Sequence, residues 1–246
     1  MPTDSPKLRG SRTRLHGPWP LGAFPKDVII GVGRLIVHRL AIGHSDITGD
    51  DFGTIFANAI GGNHRESPLG IADVVMNGNS WSVKTIKSNK PFTQKIARLI
   101  SGRNSPDYSL GIDNPHDDLN ATGKAVLAIW NARVNEALGE YDDLRIAILI
   151  RNMAKKEFVL FEETATRYAA DDYEWKINKR GNLEGFEKTT DEHRFTWQFH
   201  GAQFTVKRPV PGSATKFRIK KTPPMIEVEH VLRLAKFKDD WIEIVE

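Results

Sequence analysis

A chain of 246 residues, 39% hydrophobic and 27% charged, is long enough to bury a sizeable core and has the composition of a soluble globular protein. It has no cysteine, which excludes disulfides, thiolate nucleophiles and zinc–thiolate clusters. Any metal must then be held by oxygen or histidine, and oxygen ligands favour Mg2+, Mn2+ or Ca2+. The net charge of +4 is compatible with a polyanionic partner without requiring one.

Residues 1–25 are basic and punctuated by prolines, and they predict a loose arm. The arm has no apolar stretch of the secretory type, and no window approaches the roughly 18 consecutive apolar residues of a membrane span. A cytoplasmic protein without membrane contact is expected. Residues 25–43 carry Val28, Ile29, Val32, Leu35, Ile36 and Leu40 at helical spacing, although the β-branched first half would also suit a strand. Gly31 and Gly33 lack the third glycine of a dinucleotide fingerprint and suit helix packing better.

Residues 46–62 form a clearer helix, with Thr48 as cap, Phe52, Ile55, Phe56, Ala59 and Ile60 on one face, and a Gly-Gly stop. Two strands follow, roughly 71–76 and 80–86, joined by Asn-Gly-Asn. Residues 91–102 predict a helix ending at glycine, and the polar stretch after it predicts a loop. Residues 121–138 predict an amphipathic helix, and 144–152 with 157–164 predict two strands joined by Met-Ala-Lys-Lys. Beyond 165, aromatic and branched residues alternate with basic and amide residues, as in three or more strands with glycine turns. The tail suits either a short closing helix or a last strand. The order of elements predicts α/β (α+β) architecture in one domain over 26–246, with a core at 26–164 and a β-rich part at 165–246.

The chemistry concentrates in "GIADVVMNGNSWSVKTIK", residues 70–87. Alternation along the second strand places Ser82 and Lys84 on one face, with Trp81 and Val83 toward the core. A carboxylate, Asp73, beside a lysine on the adjacent strand suits metal-assisted phosphodiester hydrolysis. The acid holds a divalent cation, and the lysine neutralises charge or handles the attacking water. The plain alternative is a cross-strand salt bridge between Asp73 and Lys84. No HExxH or other i,i+4 histidine pair suggests zinc.

Asp73, eight intervening residues and then Ser82-Val83-Lys84 resemble the core of the PD-(D/E)XK nuclease superfamily, and specifically its type II restriction endonucleases. The resemblance spans about residues 26–164. It implies a central mixed sheet flanked by helices, with an added C-terminal antiparallel β region. It also implies Mg2+ (or Mn2+) as cofactor, Asp73 as the first metal-binding acid and Lys84 as the group at the water.

Two positions depart from the pattern. Ala72 replaces the proline before the acid, and Ser82 stands where Asp or Glu is usual, so a second acid must come from elsewhere. No Asp or Glu lies between Lys84 and Ser105, and the helix expected at 91–102 offers only Gln94. Asp51 at the edge of the apolar face of the preceding helix is the choice for a second catalytic and metal-binding acid. Glu66 is the reserve, and Asp50 points nearly opposite that face. Thr48 and Asp51 also have capping-box spacing, which gives Asp51 a purely structural alternative. The literal Pro106-Asp107 pair sits among turn formers and reads as a turn.

Restriction enzymes act on double-stranded DNA as homodimers, beside a cognate DNA methyltransferase, so the resemblance implies these partners. His64, Arg65, Lys87, Arg103 and Asn104 are expected DNA contacts around the site. Lys176, Asn178, Lys179, Arg180 and Asn182 in one hairpin, and Gln198, His200, Gln203, Lys207 and Arg208 in the next, combine amides and cations that suit base edges and phosphates. The alternatives are a structure-specific repair or recombination nuclease, and a DNA-binding module without catalysis.

Overall fold

A computed structural model describes residues 17–65 and 70–245. The helix at the start is α1 (Lys26–Ala41), which resolves the helix-or-strand ambiguity of that stretch. Its buried Val28, Val32 and Ile36 recur at i and i+4. Helix α2 (Gly49–Ile60) is capped as its sequence predicts: the Thr48 hydroxyl accepts from Asp51 N–H, and the Asp51 carboxylate accepts from Thr48 N–H. It ends at Gly61, in the left-handed region at φ 71°.

Then come β1 (Asn63–His64), β2 (Val74–Met76), β3 (Asn79–Lys87) and β4 (Ile96–Arg103). The short α3 (Pro106–Leu110) and the long α4 (Leu119–Glu140) precede β5 (Asp143–Asn152) and β6 (Glu157–Thr164). The last third holds β7 (Tyr173–Ile177), β8 (Leu183–Glu187), β9 (His193–Gln198), β10 (Gln203–Pro209), β11 (Thr215–Arg218) and α5 (Val228–Ala235).

The strands build two sheets. The first is mixed, in the order β1-β2-β3-β5-β6-β11, with β3 and β5 parallel and the other pairs antiparallel. The second, β4-β10-β9-β8-β7, is antiparallel throughout. One face of the mixed sheet presents Val74, Trp81, Val83, Ala147 and Leu149 to α1 and α2. The other presents Ile146, Ile148 and Ile150 to Val126, Leu127, Trp130 and Val134 of α4, and this cluster continues into Leu99, Phe195, Trp197, Phe204 and Val206 of the second sheet. The mixed sheet is thus flanked by helices, and α4 packs between it and the second sheet.

Three sequence expectations change. Residues 91–102 are not a helix: a single 3-10 turn at Pro91–Thr93 leads into β4, where Ala97, Leu99 and Ser101 are buried and Ile96, Arg98 and Ile100 are exposed. Antiparallel pairing with β10 selects the strand for a run whose periodicity is ambiguous. The sheets also do not divide at residue 165, because β4 belongs to the second sheet and β11 returns to the edge of the first. Finally, the described part of the N-terminal arm is packed. Trp19 stacks on Trp81, and its Nε1 donates to Glu162 Oε1 at 2.9 Å, while Arg145 pairs with the same buried carboxylate at 2.6 Å. The tail is a helix rather than a strand, and α5 buries none of its residues.

Candidate functional site

The site lies where β2 and β3 are hydrogen-bonded. Asp73 immediately precedes Val74, whose partner is Trp81, so Asp73 falls beside Ser82 on the same face. Asn77, at φ 47°, and Gly78, at φ 78°, form the turn that sets this register. Parallel pairing of Ser82 with Ile146 and of Lys84 with Ile148 shows which face that is: the α4 face.

Asp73 Oδ2 accepts from Val83 N–H at 2.8 Å and from the Ser82 hydroxyl at 3.1 Å, and Lys84 Nζ lies 3.7 Å away. Oδ1 takes no hydrogen bond from the described residues. The Asp73 and Lys84 side chains are 24% and 23% exposed, whereas Ser82 is buried. One carboxylate oxygen is therefore fixed by backbone and hydroxyl donors, and its twin is left without a hydrogen-bond donor among the described residues. The 3.7 Å separation allows an ion pair but is long for a hydrogen bond, so Lys84 keeps donor capacity.

Asp51 does not join this group. It sits on α2, across the mixed sheet from Ser82 and Lys84. Its Oδ2 serves the capping box, and its Oδ1 lies 3.3 Å from Arg39 and 3.9 Å from His44. Burial raises the Asp51 carboxyl, but the hydrogen bonds from Thr48 and the charge of Arg39 outweigh it and hold the pKa below the ordinary value. The capping alternative accounts for both of its oxygens. Asp50 lies 3.9 Å from His64, and Glu66 lies outside the described residues.

The long helix after β3, reached through the short α3, is α4 and not the stretch at 91–102, and α4 does carry acids. Glu136 and Glu140 line a cleft of about 140 Å3 with Arg65, Gly70, Ile71, Ala72 and Arg133. The cleft thus opens beside Ala72, the neighbour of Asp73, on the face shared by Ser82 and Lys84. Glu140 pairs with Arg65 at 2.9 Å, whereas Glu136 forms no ion pair within 4.0 Å among the described residues. Sequence reasoning missed Glu136 because the misread strand displaced α4 from its role as the next helix.

The expected DNA contacts divide. His64 packs on α2: a Cβ at Gly53 would come within 2.3 Å of its Nε2, and its Nδ1 lies 3.2 Å from Thr54 Oγ1. Arg65 is held by Glu140 and Tyr141, and Lys87 pairs with Asp46 at 2.7 Å. Asn104 is a correction, because it is fully buried and structural. Its amide donates to Val126 O and its carbonyl accepts from Arg133, each at 2.8 Å. Arg103 and Gln203 are cross-strand partners at the end of β4, and exposed His200 lies in the turn between β9 and β10 against Phe199.

The β7–β8 hairpin keeps its polar residues outward. Asn178 shapes the turn, accepting from Arg180 and Asn182 N–H and donating to Glu184. Lys176 lies 3.5 Å from Glu174. Asn178, Lys179, Arg180, Asn182 and Gln198 line one cleft, and Arg98 of β4 joins them. Arg98 was not anticipated, since a helix at 91–102 would have pointed it elsewhere.

Among the described residues, no three His, Asp or Glu side chains are grouped as a ready metal cage, and no helix is long and apolar enough to cross a membrane. No family model, no curated protein and no solved structure matches the chain.

Proposed function

We propose that this protein is a Mg2+-dependent double-stranded DNA endonuclease with a PD-(D/E)XK-type core, acting as a type II restriction enzyme. The observation that carries the proposal is the convergence of Asp73, Ser82 and Lys84 on one sheet face, with Asp73 Oδ2 fixed and Oδ1 open.

The donor set fits the cation. Mg2+ takes oxygen ligands from one or two carboxylates and keeps several waters, and Mn2+ accepts the same oxygens. Asp73 Oδ1 would supply one carboxylate oxygen, and Glu136 of α4, which lines the cleft beside Ala72, is our candidate for a second in place of Asp51. When bound, the ion polarises the scissile phosphate as a Lewis acid. Val83 N–H and the Ser82 hydroxyl orient the Asp73 carboxylate. Lys84 Nζ holds the attacking water and offsets the charge gathering on the phosphate oxygens. Water oxygen would bond to phosphorus as it gives a proton to solvent, the bond to the leaving deoxyribose oxygen would break, and that oxygen would take up a proton from solvent.

A restriction role brings two further partners, a second copy of the chain and a DNA methyltransferase of the same sequence specificity. The C-terminal segment favours the dimer: Leu234, Trp241, Ile242, Ile244 and Val245 are all more than half exposed, an apolar surface of the kind that marks an interface. A second reading, a DNA-binding module without catalysis, draws on the absence of a three-ligand cage among the described residues. Incubation of unmethylated phage DNA with Mg2+ separates the two. The nuclease gives discrete fragments that disappear with EDTA and with Asp73→Asn, whereas the binding module retains DNA and cuts nothing. A smear without discrete fragments would favour a structure-specific nuclease over restriction.

A further inference from the structure

The second sheet has a buried face and an open one. Trp175, Phe195, Trp197 and Phe204 are buried against α4 and its neighbours. Strand alternation therefore sends Lys176, Glu184, Thr196, Gln198, Thr205, Lys207 and Arg98 to the other side, where Thr196 and Thr205 at its centre are buried beneath their neighbours. The pairing aligns them: Lys176 with Glu184, Glu184 with Thr196, Thr196 with Thr205, and Lys207 with Arg98.

Two clefts open on this face, of about 690 and 370 Å3, and Arg98 lines both. The first holds His193, Arg194, Lys207 and Arg208, and the second holds Asn178, Lys179, Arg180, Asn182 and Gln198. Several of the cations are already committed. Arg194 is paired with Glu187 and Glu192, and Arg208 with Glu163. Arg98, Lys179 and Arg180 form no ion pair within 4.0 Å among the described residues, and all three are exposed. Lys207 Nζ meets a histidine nitrogen, His193 Nδ1 at 2.6 Å, rather than a carboxylate. Burial and then the charge of Arg98 lower the Lys207 pKa, with Glu184 opposing them, and Glu192 also lines the larger cleft. Glu184 lies among them and is engaged by Asn178.

We infer that this open face, centred on Arg98, seats the backbone of double-stranded DNA and brings Asn182 and Gln198 to the base edges. Cations without acid partners are what phosphates neutralise, with release of counterions. Amide side chains between them have the donor–acceptor pair that adenine presents in the major groove. Five strands span roughly 20 Å at the usual interstrand spacing, which exceeds the ~12 Å major groove and reaches both of its phosphate rims. A single strand is disfavoured, because it needs open aromatic rings for stacking. The rings of this sheet are turned inward except Phe186, which is covered by Lys176 Nζ at 5.2 Å and by the His193 ring at 4.8 Å.

The choice of duplex DNA rests on the proposed function, but the seat itself does not require cleavage. The full chain, Arg98→Gln/Arg180→Gln and Lys84→Ala are compared for binding of a fluorescent duplex in EDTA across a salt series, and for plasmid cutting in Mg2+. Thermal melts check that each variant is folded, and single Arg98→Gln serves if the double variant is not. The seat predicts at least a tenfold affinity loss at moderate salt in the double variant. It also predicts a salt slope shallower by about two, one unit for each phosphate contact removed, and in Lys84→Ala a change no larger than one such contact. Folded Arg98→Gln/Arg180→Gln that binds within twofold of the full chain overturns the seat, even if the full chain cuts DNA. A full chain that binds without cutting, with binding lost in the double variant, overturns the nuclease and leaves the seat standing. A full chain that neither binds nor cuts overturns both.

Discussion

Asp73 is divided between two jobs by the geometry of its own hairpin. The Val83 N–H and the Ser82 hydroxyl hold one oxygen, so the other is presented in a fixed direction. Replacing Ser82 by alanine removes one of the two donors on Oδ2. We expect cutting to fall by about tenfold or more with little loss of DNA binding, because the hydroxyl orients the acid rather than touching the duplex. Asp51 makes the opposite prediction. Thr48→Ala loses a cap worth about 1 kcal/mol and should lower the denaturant midpoint without a change in the Mg2+ dependence of cutting.

Acid sensitivity follows from the depressed carboxylates. Burial raises the Asp46 carboxyl, but hydrogen bonds from Arg151 and Lys87 outweigh it and hold its pKa at about 2, against 3.8 for the free group. A folded pKa below the unfolded one adds stability above pH 4 that fades as pH falls toward 2. Denaturant melts from pH 6 to pH 2 should show this loss, and Asp46→Asn should lower stability at pH 6 while flattening the decline. At this scale the sequence was largely transparent: Asp73, Ser82, Lys84 and the Thr48–Asp51 cap all follow from spacing. The surroundings of Asp51 were not, because no local pattern states which face of a sheet a helix will cover.

Elements were legible where their periodicity was long. Helix α4 and strands β5 and β6 stand close to their expected bounds, since a 22-residue helix or a continuous apolar strand leaves little choice. The exception is β4. Within Ile96-Ala-Arg-Leu-Ile, apolar residues recur at spacings that suit a helix or a strand, and the deciding partner, β10, lies about a hundred residues further along. That single misreading hid both Glu136, by removing α4 from its place after β3, and Arg98, by pointing it off the sheet. Two substitutions test the strand and its packing. Leu99→Ala should cost about 2–5 kcal/mol, as for a fully buried leucine. Gly123→Ala would bring a Cβ within 2.2 Å of Trp175, and α4 should lose stability by about 1–3 kcal/mol as the indole is forced aside. Urea midpoints read both.

The whole molecule is a mixed sheet covered by α1 and α2 on one side and by α4 with a second sheet on the other. The proposed cutting site faces α4, and the proposed DNA seat lies on the far face of the second sheet. The C-terminal segment after Ile226 is anchored by one backbone bond, Ile226 N–H to Ala41 O at 2.7 Å, and then leaves its apolar side chains exposed. An eight-residue helix with no buried residue is marginal alone, and under the proposed restriction role a second copy of the chain would cover it. Sedimentation should find a dimer for the full chain and a monomer once residues after 226 are removed.

We propose that Asp73 and Lys84 form a metal-dependent phosphodiester-cleaving site, and cutting of unmethylated plasmid by Lys84→Ala puts that assignment to the test. The variant and the full chain are compared at equal concentration in Mg2+, with EDTA as control and with DNA binding measured alongside. We expect Mg2+-dependent cutting by the full chain and a loss of at least a hundredfold in Lys84→Ala, within the ~10²–10⁴ range of a positioned proton-handling group, with DNA binding retained. Cutting by Lys84→Ala at the rate of the full chain would contradict it.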